Sequence, residues 1–121
     1  MEPRLLSSST LNGTDVRNPQ GENLGNIKDL MIDTNTGHVA YAVLSFGGFL
    51  GLGDKYFAIP WEAFSIDAED EELVLDIDKE VLKNAPGFDK DNWPSAPDRT
   101  FIMEVHSHYG YEPYWTRKHS Y

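Results

Sequence analysis

Three titratable residues near the C-terminus have a spacing that could hold a metal ion. Glu104, His106 and His108 stand at every second position. On a β-strand their side chains would share one face and offer a metal two imidazoles and a carboxylate, whereas on a helix they would diverge. His119 could add a further ligand. The alternative is a group of surface histidines among tyrosines, because the common zinc spacings are missing and the chain has no cysteine.

The glycine-rich segment SFGGFLGLGDKYFAIPW, residues 45–61, has the composition of a phosphate-binding loop. Gly48 and Gly53 have the glycine spacing of a P-loop, but the position of its lysine is held by Asp54, which would repel a phosphate. The dinucleotide fingerprint also fails, because Tyr56 occupies its third glycine position and the residues that follow are strand-like. The segment is therefore not predicted to bind a nucleotide, and no cofactor is expected.

Patterns typical of catalysis are weak in this chain. No serine or threonine stands at a recognisable spacing from a histidine and an aspartate, and the G-x-S-x-G and H-E-x-x-H motifs are absent. Asp29 and Asp33 could form a carboxylate pair on one side of a strand. The better interpretation is that Asp29 bonds the backbone at a bulge and that Asp33 caps a turn, because aspartate commonly accepts hydrogen bonds from nearby backbone amides. The sequence favours a protein that is not an enzyme.

Composition and charge restrict the classes of partner. The chain has 121 residues, enough for one domain, and its net charge is −10 with scattered basic residues, which disfavours binding to a nucleic-acid backbone. It has no apolar run long enough to span a bilayer. Its first ten residues, MEPRLLSSST, lack the apolar core of a signal peptide. A cytoplasmic protein without a membrane segment is expected.

Frequent turn signals between short strand-like runs predict an all-β fold. The strongest strand is HVAYAVLSF, residues 38–46. Both of its faces are apolar, which predicts a central strand covered on both sides. One face is predicted to carry Val39, Tyr41 and Val43, and the other Ala40, Ala42, Leu44 and Phe46.

The preceding run, GNIKDLMID at residues 25–33, is expected to pair with this strand through a turn at Thr34 to Gly37. Its alternation of apolar and polar residues breaks at Asp29 and Leu30. This break predicts a bulge or sharp bend, a device that helps a small sheet to curl into a barrel.

Further strands are predicted at KYFAIP, residues 55–60, and at FSID and LVLDID, residues 64–67 and 73–78. The last two flank the acidic segment 68–72, which reads as a solvated hairpin tip rather than a cation site because adjacent carboxylates repel each other. DKEVLKNAP, residues 78–86, predicts a short helix capped by its first aspartate and ended before its proline.

After Pro86 the chain becomes rich in proline and aromatic residues, with a short helix predicted around residues 99–109. So many aromatic side chains are unfavourable in a solvent-exposed tail, so we expect them to dock on the barrel or on a partner. The rings are Phe88, Trp93, Tyr109, Tyr111, Tyr114, Trp115 and Tyr121.

The region from Gly13 to Trp61 resembles a PRC-barrel domain, the family named after the photosynthetic reaction-centre H subunit and shared by the C-terminal half of a ribosome maturation factor. The resemblance covers roughly residues 11–82. The tail motifs of the chain are similar to those of stand-alone bacterial members of the family. The residues that carry the resemblance are Gly13, Val16, Gly21, Gly25, Ile27, Asp29, the turn 33–37, the glycine segment, Ile59-Pro60-Trp61, Trp93-Pro94 and the run Tyr109-Gly110-Tyr111-Glu112-Pro113-Tyr114-Trp115.

This resemblance implies a small, mostly antiparallel β-barrel of about six strands, followed by a short helix and an aromatic, proline-rich tail. The expected division is a leader at residues 1–10, the barrel at 11–82, and an extension at 83–121 that packs on the barrel or on a second subunit. Known members act mainly as interaction or assembly modules, and a fold alone does not fix an activity.

The predicted function is therefore a non-enzymatic protein-interaction module that associates with itself as a homodimer. A small-ligand or metal-responsive module with its site between barrel and tail is the alternative, and RNA or ribosome association is a third, opposed by the charge of −10. The apolar residues of the glycine segment could instead fold back and cap the barrel. The predicted interaction surface is Phe49, Leu50, Leu52, Tyr111, Tyr114 and Trp115.

Overall fold

The computed structural model of the chain describes residues 7–47, 54–67, 72–83, 85, 87–88, 99–113 and 115. Six strands in this part form one curled sheet in the order β4-β3-β2-β1-β6-β5. Neighbouring strands are antiparallel except β1 and β6, which run parallel. The predicted fold, a mostly antiparallel PRC-type barrel of about six strands, is confirmed. The strands are β1 (Asp15–Arg17), β2 (Asn23–Ile32), β3 (Val39–Gly47), β4 (Asp54–Ile59), β5 (Phe64–Asp67) and β6 (Glu72–Leu75).

Two irregularities bend the long β2–β3 hairpin. Ile27 pairs with Leu44 and Asp29 with Val43, so Lys28 is an extra residue in β2, next to the predicted break. The turn that joins the two strands contains Gly37 at a φ of 79°, a left-handed conformation that suits glycine, as the sequence predicted.

The second irregularity corrects one sequence-based expectation. Met31 pairs with Tyr41 and Ile32 with Val39, which leaves Ala40 as the extra residue in β3. Ala40 therefore packs with Tyr41 and not on the face of Ala42, where simple alternation placed it. A strict period of two holds only while the register is unbroken.

The sheet is curled around one apolar core. Val16, Leu24, Ile27, Leu44, Phe57, Ile59, Leu73 and Leu75 are nearly inaccessible and belong to this inner cluster. At the rim, Arg17 of β1 forms ion pairs with Asp67 of β5 and Glu72 of β6, the latter at 2.7 Å. These contacts join the ends of the β5–β6 hairpin to β1. The acidic tip between them, residues 68–71, lies outside the described residues.

Three short helices and a 3-10 turn complete the described part of the chain. Helix α1 (Ser8–Leu11) begins at Ser7, whose Oγ accepts a bond from the amide of Thr10 at 3.1 Å, so the described part of the predicted leader is helical. The 3-10 turn (Trp61–Ala63) follows β4. Helix α2 (Lys79–Lys83) begins after Asp78, which accepts a bond from the amide of Glu80 as predicted.

Helix α3 (Arg99–His108) confirms the helix predicted in the tail. It ends where Gly110 takes a φ of 81° and donates to the carbonyl of Ser107 at 3.1 Å, while Tyr111 donates to the carbonyl of His106 at 2.8 Å. This pair of bonds is a Schellman motif, which glycine allows because it tolerates the left-handed conformation.

A second apolar cluster covers the outer face of β3 and β4. Ile102 and Val105 of α3 pack on Tyr41, Val43, Tyr56 and Ala58, and the ring of Phe101 meets that of Tyr41 edge-on at 5.6 Å. Phe88 pairs with the edge of β4 through two backbone bonds to Tyr56, of 2.7 and 2.8 Å. Strand β3 is therefore covered on both sides, as predicted, and its outer cover comes from the chain's own tail.

Candidate functional site

The three residues of the predicted metal site, Glu104, His106 and His108, lie on α3, where they do not share a face. His106 is fully buried, whereas Glu104 and His108 are exposed. Residues two apart on a helix differ in direction by about 200°, which explains the difference. Among the described residues, no group of three or more metal-ligating side chains occurs. His119 lies outside the described part of the chain.

His106 instead joins α3 to the 3-10 turn. Its Nδ1 lies 2.9 Å from the carbonyl oxygen of Ile102, and because a carbonyl can only accept, Nδ1 carries the proton of this bond. Its Nε2 faces Oε2 of Glu62 at 3.5 Å. Both atoms are shielded from solvent, so the contact lies in a region of reduced dielectric, where charge interactions are stronger than in water.

Tyr109 lies one turn after this contact and packs against the inner cluster. Its hydroxyl is buried, and no described residue forms a hydrogen bond with it. Burial disfavours the phenolate and raises the pKa of Tyr109 to about 12. The side chain thus remains neutral at ordinary pH.

A groove lies between the barrel and the tail. Its volume is about 350 Å³. Its lining comes from the β2–β3 turn, from β2, β3 and α3, and from Trp115. The lining residues are Met31, Ile32, Asp33, Thr34, Asn35, Thr36, Ala40, Tyr41, Ile102 and Trp115.

The turn holds its side chains in place through local bonds. Oδ1 of Asp33 accepts from the amide of Asn35 at 2.9 Å, and Oγ1 of Thr36 accepts from the amide of His38 at 3.2 Å. Asp33 is thus the turn cap that its position indicated. Asp29 accepts from the adjacent Leu30 amide at 2.9 Å beside the bulge, and it is exposed outside the groove.

Two of the six residues predicted to form the interaction surface are described. Tyr111 is 37% exposed, and Trp115 is partly buried against the outer cluster, where it also lines the groove. Phe49, Leu50, Leu52 and Tyr114 lie outside the described residues. The predicted surface therefore stays a prediction, with Trp115 now placed at the barrel–tail junction.

Sequence reasoning did not find the residues that create this junction. Glu62 follows the strand-ending Pro60 and Trp61 without a motif of its own, and nothing in the sequence connects it with His106. Met31 and Ile102 had the pattern of ordinary core positions, and only their juxtaposition at the groove gives them a further role.

The fold agrees with a comparison of the sequence with known families. The family model of the PRC-barrel domain matches residues 3–82, and the chain belongs to this family. No curated protein matches the chain. No helix among the described residues is long and apolar enough to cross a membrane.

A solved structure with similarity to this chain is that of RimM from Pseudomonas aeruginosa, described as a 16S ribosomal RNA processing protein. The two are 24% identical, with a TM-score of 0.42, and the match covers 62% of this chain. It covers 45% of the RimM chain, so this protein corresponds to less than half of that one.

Proposed function

We propose that this PRC-barrel protein is a non-enzymatic interaction module that associates with itself. The observation that carries the proposal is the barrel–tail junction, where Trp115 lines an open groove and Ile32 beside it is 50% exposed. Exposed apolar residues grouped around a concave surface are typical of sites where proteins meet. A two-fold dimer would bury such a surface on both copies at once.

Light scattering on the purified chain at tens of micromolar tests self-association. We expect a mass twice that of the 13.7 kDa chain, and a weaker dimer for Trp115→Ala and Leu50→Asp. Val81→Asp is the matched control, because Val81 is 57% exposed on α2 and lines no part of the groove. A strict monomer for the unmodified chain would refute the homodimer and direct the search to a partner of different sequence.

A second candidate function is that of a small-ligand module, with its site between the barrel and the tail. The groove favours it, because its volume of about 350 Å³ falls at the lower end of the range of small-molecule sites. The dispersed positions of Glu104, His106 and His108 favour an organic ligand over a metal ion. Ribosomal RNA binding is not part of the proposal, because a net charge of −10 opposes approach to a phosphate backbone.

A further inference from the structure

The lining of the groove at the barrel–tail junction combines apolar side chains with two aromatic rings. Met31, Ala40 and Ile102 supply aliphatic surface, and Tyr41 and Trp115 supply rings. Residues 31–41 of the β2–β3 hairpin are distant in sequence from Ile102 and Trp115, so the groove exists only when the tail is docked. A compact ligand with an apolar body would be contacted from several sides.

Tyr41 is the lining residue that carries both a ring and a hydroxyl. Tyr41 is 1% exposed as a whole, and its hydroxyl, which bonds no described residue, is not among the fully buried polar atoms and so keeps contact with solvent. Burial raises the pKa of Tyr41, which keeps the hydroxyl neutral and able to donate or accept. Since Tyr41 lines the groove, a polar group of a bound ligand would take the place of water as the partner of this hydroxyl.

The charge around the groove determines whether a cationic or an anionic ligand is favoured. Among the described residues that line it there is one carboxylate, Asp33, and neither lysine nor arginine, and the whole chain carries −10. Such a field attracts cations and repels anions. The faces of tryptophan and tyrosine rings also attract cations through their quadrupoles.

We propose that the groove binds a small organic ammonium ion with an aromatic body. The aromatic body lies against Trp115 and the apolar lining residues, and the ammonium group is oriented toward Asp33 and the hydroxyl of Tyr41. This inference rests on the second candidate function, since it names the class of ligand for the same groove. The groove is formed within one chain, so the site is complete in a monomer, but Trp115 and Ile32 also belong to the proposed dimer surface, and the ligand and a second copy would compete for it.

Three probes of similar shape and different charge test the proposal with the full chain. These are 2-phenylethylammonium, the neutral 2-phenylethanol and the anionic 3-phenylpropanoate, each titrated while the amide and indole NMR signals are followed. We expect saturable shifts at Trp115 and around Tyr41 with the cation, binding about fivefold weaker for the alcohol, and none for the carboxylate.

Two substitutions separate charge recognition from a general effect of an acidic surface. Asp33→Asn keeps the side-chain oxygen that caps the turn, and it should reduce cation affinity to the level of the alcohol. Asp29→Asn is the matched control, because Asp29 lies four residues earlier, in β2, and also bonds a nearby amide, but outside the groove. It should leave the affinity unchanged. Trp115→Ala should abolish binding of the cation and the alcohol alike.

Several outcomes would overturn the proposal, and they identify which part of it fails. Equal affinity for the cation and the alcohol, both lost in Trp115→Ala, would refute the ammonium class while leaving the groove as a ligand site. No saturable shift with any probe would refute the groove as a site for ligands of this size. Equal weakening by Asp29→Asn and Asp33→Asn would show that only the overall charge attracts the cation. Melting curves of each variant confirm that it is folded.

Discussion

At the scale of single residues, Gly25 shows how closely β2 and β3 approach each other. It has a φ of 115°, and a Cβ built at this position would lie 2.0 Å from the carbonyl oxygen of Ser45. The neighbouring atoms belong to the backbone of a central strand and cannot move aside without disturbing the sheet. A glycine is required there by both the conformation and the space.

Gly25→Ala should therefore reduce the free energy of unfolding by roughly 3 kcal/mol or more, because strain at positive φ adds to a backbone clash. Gly37→Ala is a suitable control, since Gly37 has a φ of 79° but no atom lies within 4 Å of where its Cβ would stand. Gly37→Ala should reduce the free energy of unfolding by about 1–2 kcal/mol, because only the conformational strain is present there. Urea unfolding of both variants measures the difference, and equal losses would contradict the close approach.

The buried hydroxyl of Tyr109 predicts how the stability of the protein changes at alkaline pH. Its pKa of about 12 in the folded chain lies above the ordinary value of 10.0, because burial disfavours the phenolate. The unfolded chain releases this proton first as the pH rises, so the contribution to stability is complete below pH 10 and is lost between about pH 10 and 12. Tyr109→Phe should remove about 1–2 kcal/mol of that alkaline fall.

At neutral pH the same substitution should be neutral or stabilising by up to about 1 kcal/mol, since it removes a buried hydroxyl that no described residue bonds. Urea unfolding of both proteins at pH 7, 10 and 11 provides the comparison. The variant should retain some alkaline loss, because burial also raises the pKa of Tyr41. An unchanged pH dependence would show that Tyr109 is not buried as described.

At the scale of elements, the docking of α3 depends on one face of the helix. Ile102, Val105 and His106 are buried, whereas Met103 is 50% exposed on the opposite side. This face covers the apolar outer side of β3 and β4, which would otherwise meet solvent. The contact between His106 and Glu62 adds a polar link to the same docking surface.

Ile102→Asp should destabilise the protein by roughly 3 kcal/mol, because it places a carboxylate in an apolar contact. Met103→Asp on the same helix should change stability by less than about 0.5 kcal/mol. Limited proteolysis offers a second measurement, since a detached helix should be cleaved in the Ile102→Asp variant before the barrel is cut. Equal behaviour of the two variants would show that α3 does not dock through this face.

At the scale of the whole molecule, the charge of −10 opposes the association of two copies. The repulsion between exposed charges weakens as the Debye length falls from about 10 Å at 0.1 M salt to about 3 Å at 1 M. An interface of apolar residues is not weakened by that screening. The proposed dimer should therefore become tighter as salt is added.

We expect the dimer dissociation constant to fall several-fold between 0.05 and 0.5 M sodium chloride, measured by sedimentation equilibrium. Trp115→Ala should be weaker at both concentrations, because the substitution removes apolar area and leaves the charge unchanged. A dimer that dissociates when salt is added would indicate an interface of ion pairs and contradict the proposed apolar surface.

The sequence by itself determined the local elements of this protein. The hairpin turn at residues 34–37, the cap at Asp78 and the end of α3 at Gly110 follow from residues close in the chain. Such features depend on backbone conformations and short-range hydrogen bonds, which a few neighbouring residues decide. The apolar pattern of residues 38–46 likewise predicted a strand covered on both sides, and the ordered motifs predicted the family.

Only the tertiary structure decided which distant segments meet. The parallel pairing of β1 with β6, the extra residue at Ala40, and the contact of His106 with Glu62 join positions that no local pattern relates. The groove at Trp115 is of the same kind, since its walls come from the β2–β3 turn and the tail. These contacts depend on how a curled sheet and a docked helix fill space together, and a periodic pattern along one segment carries no information about the segment that will face it.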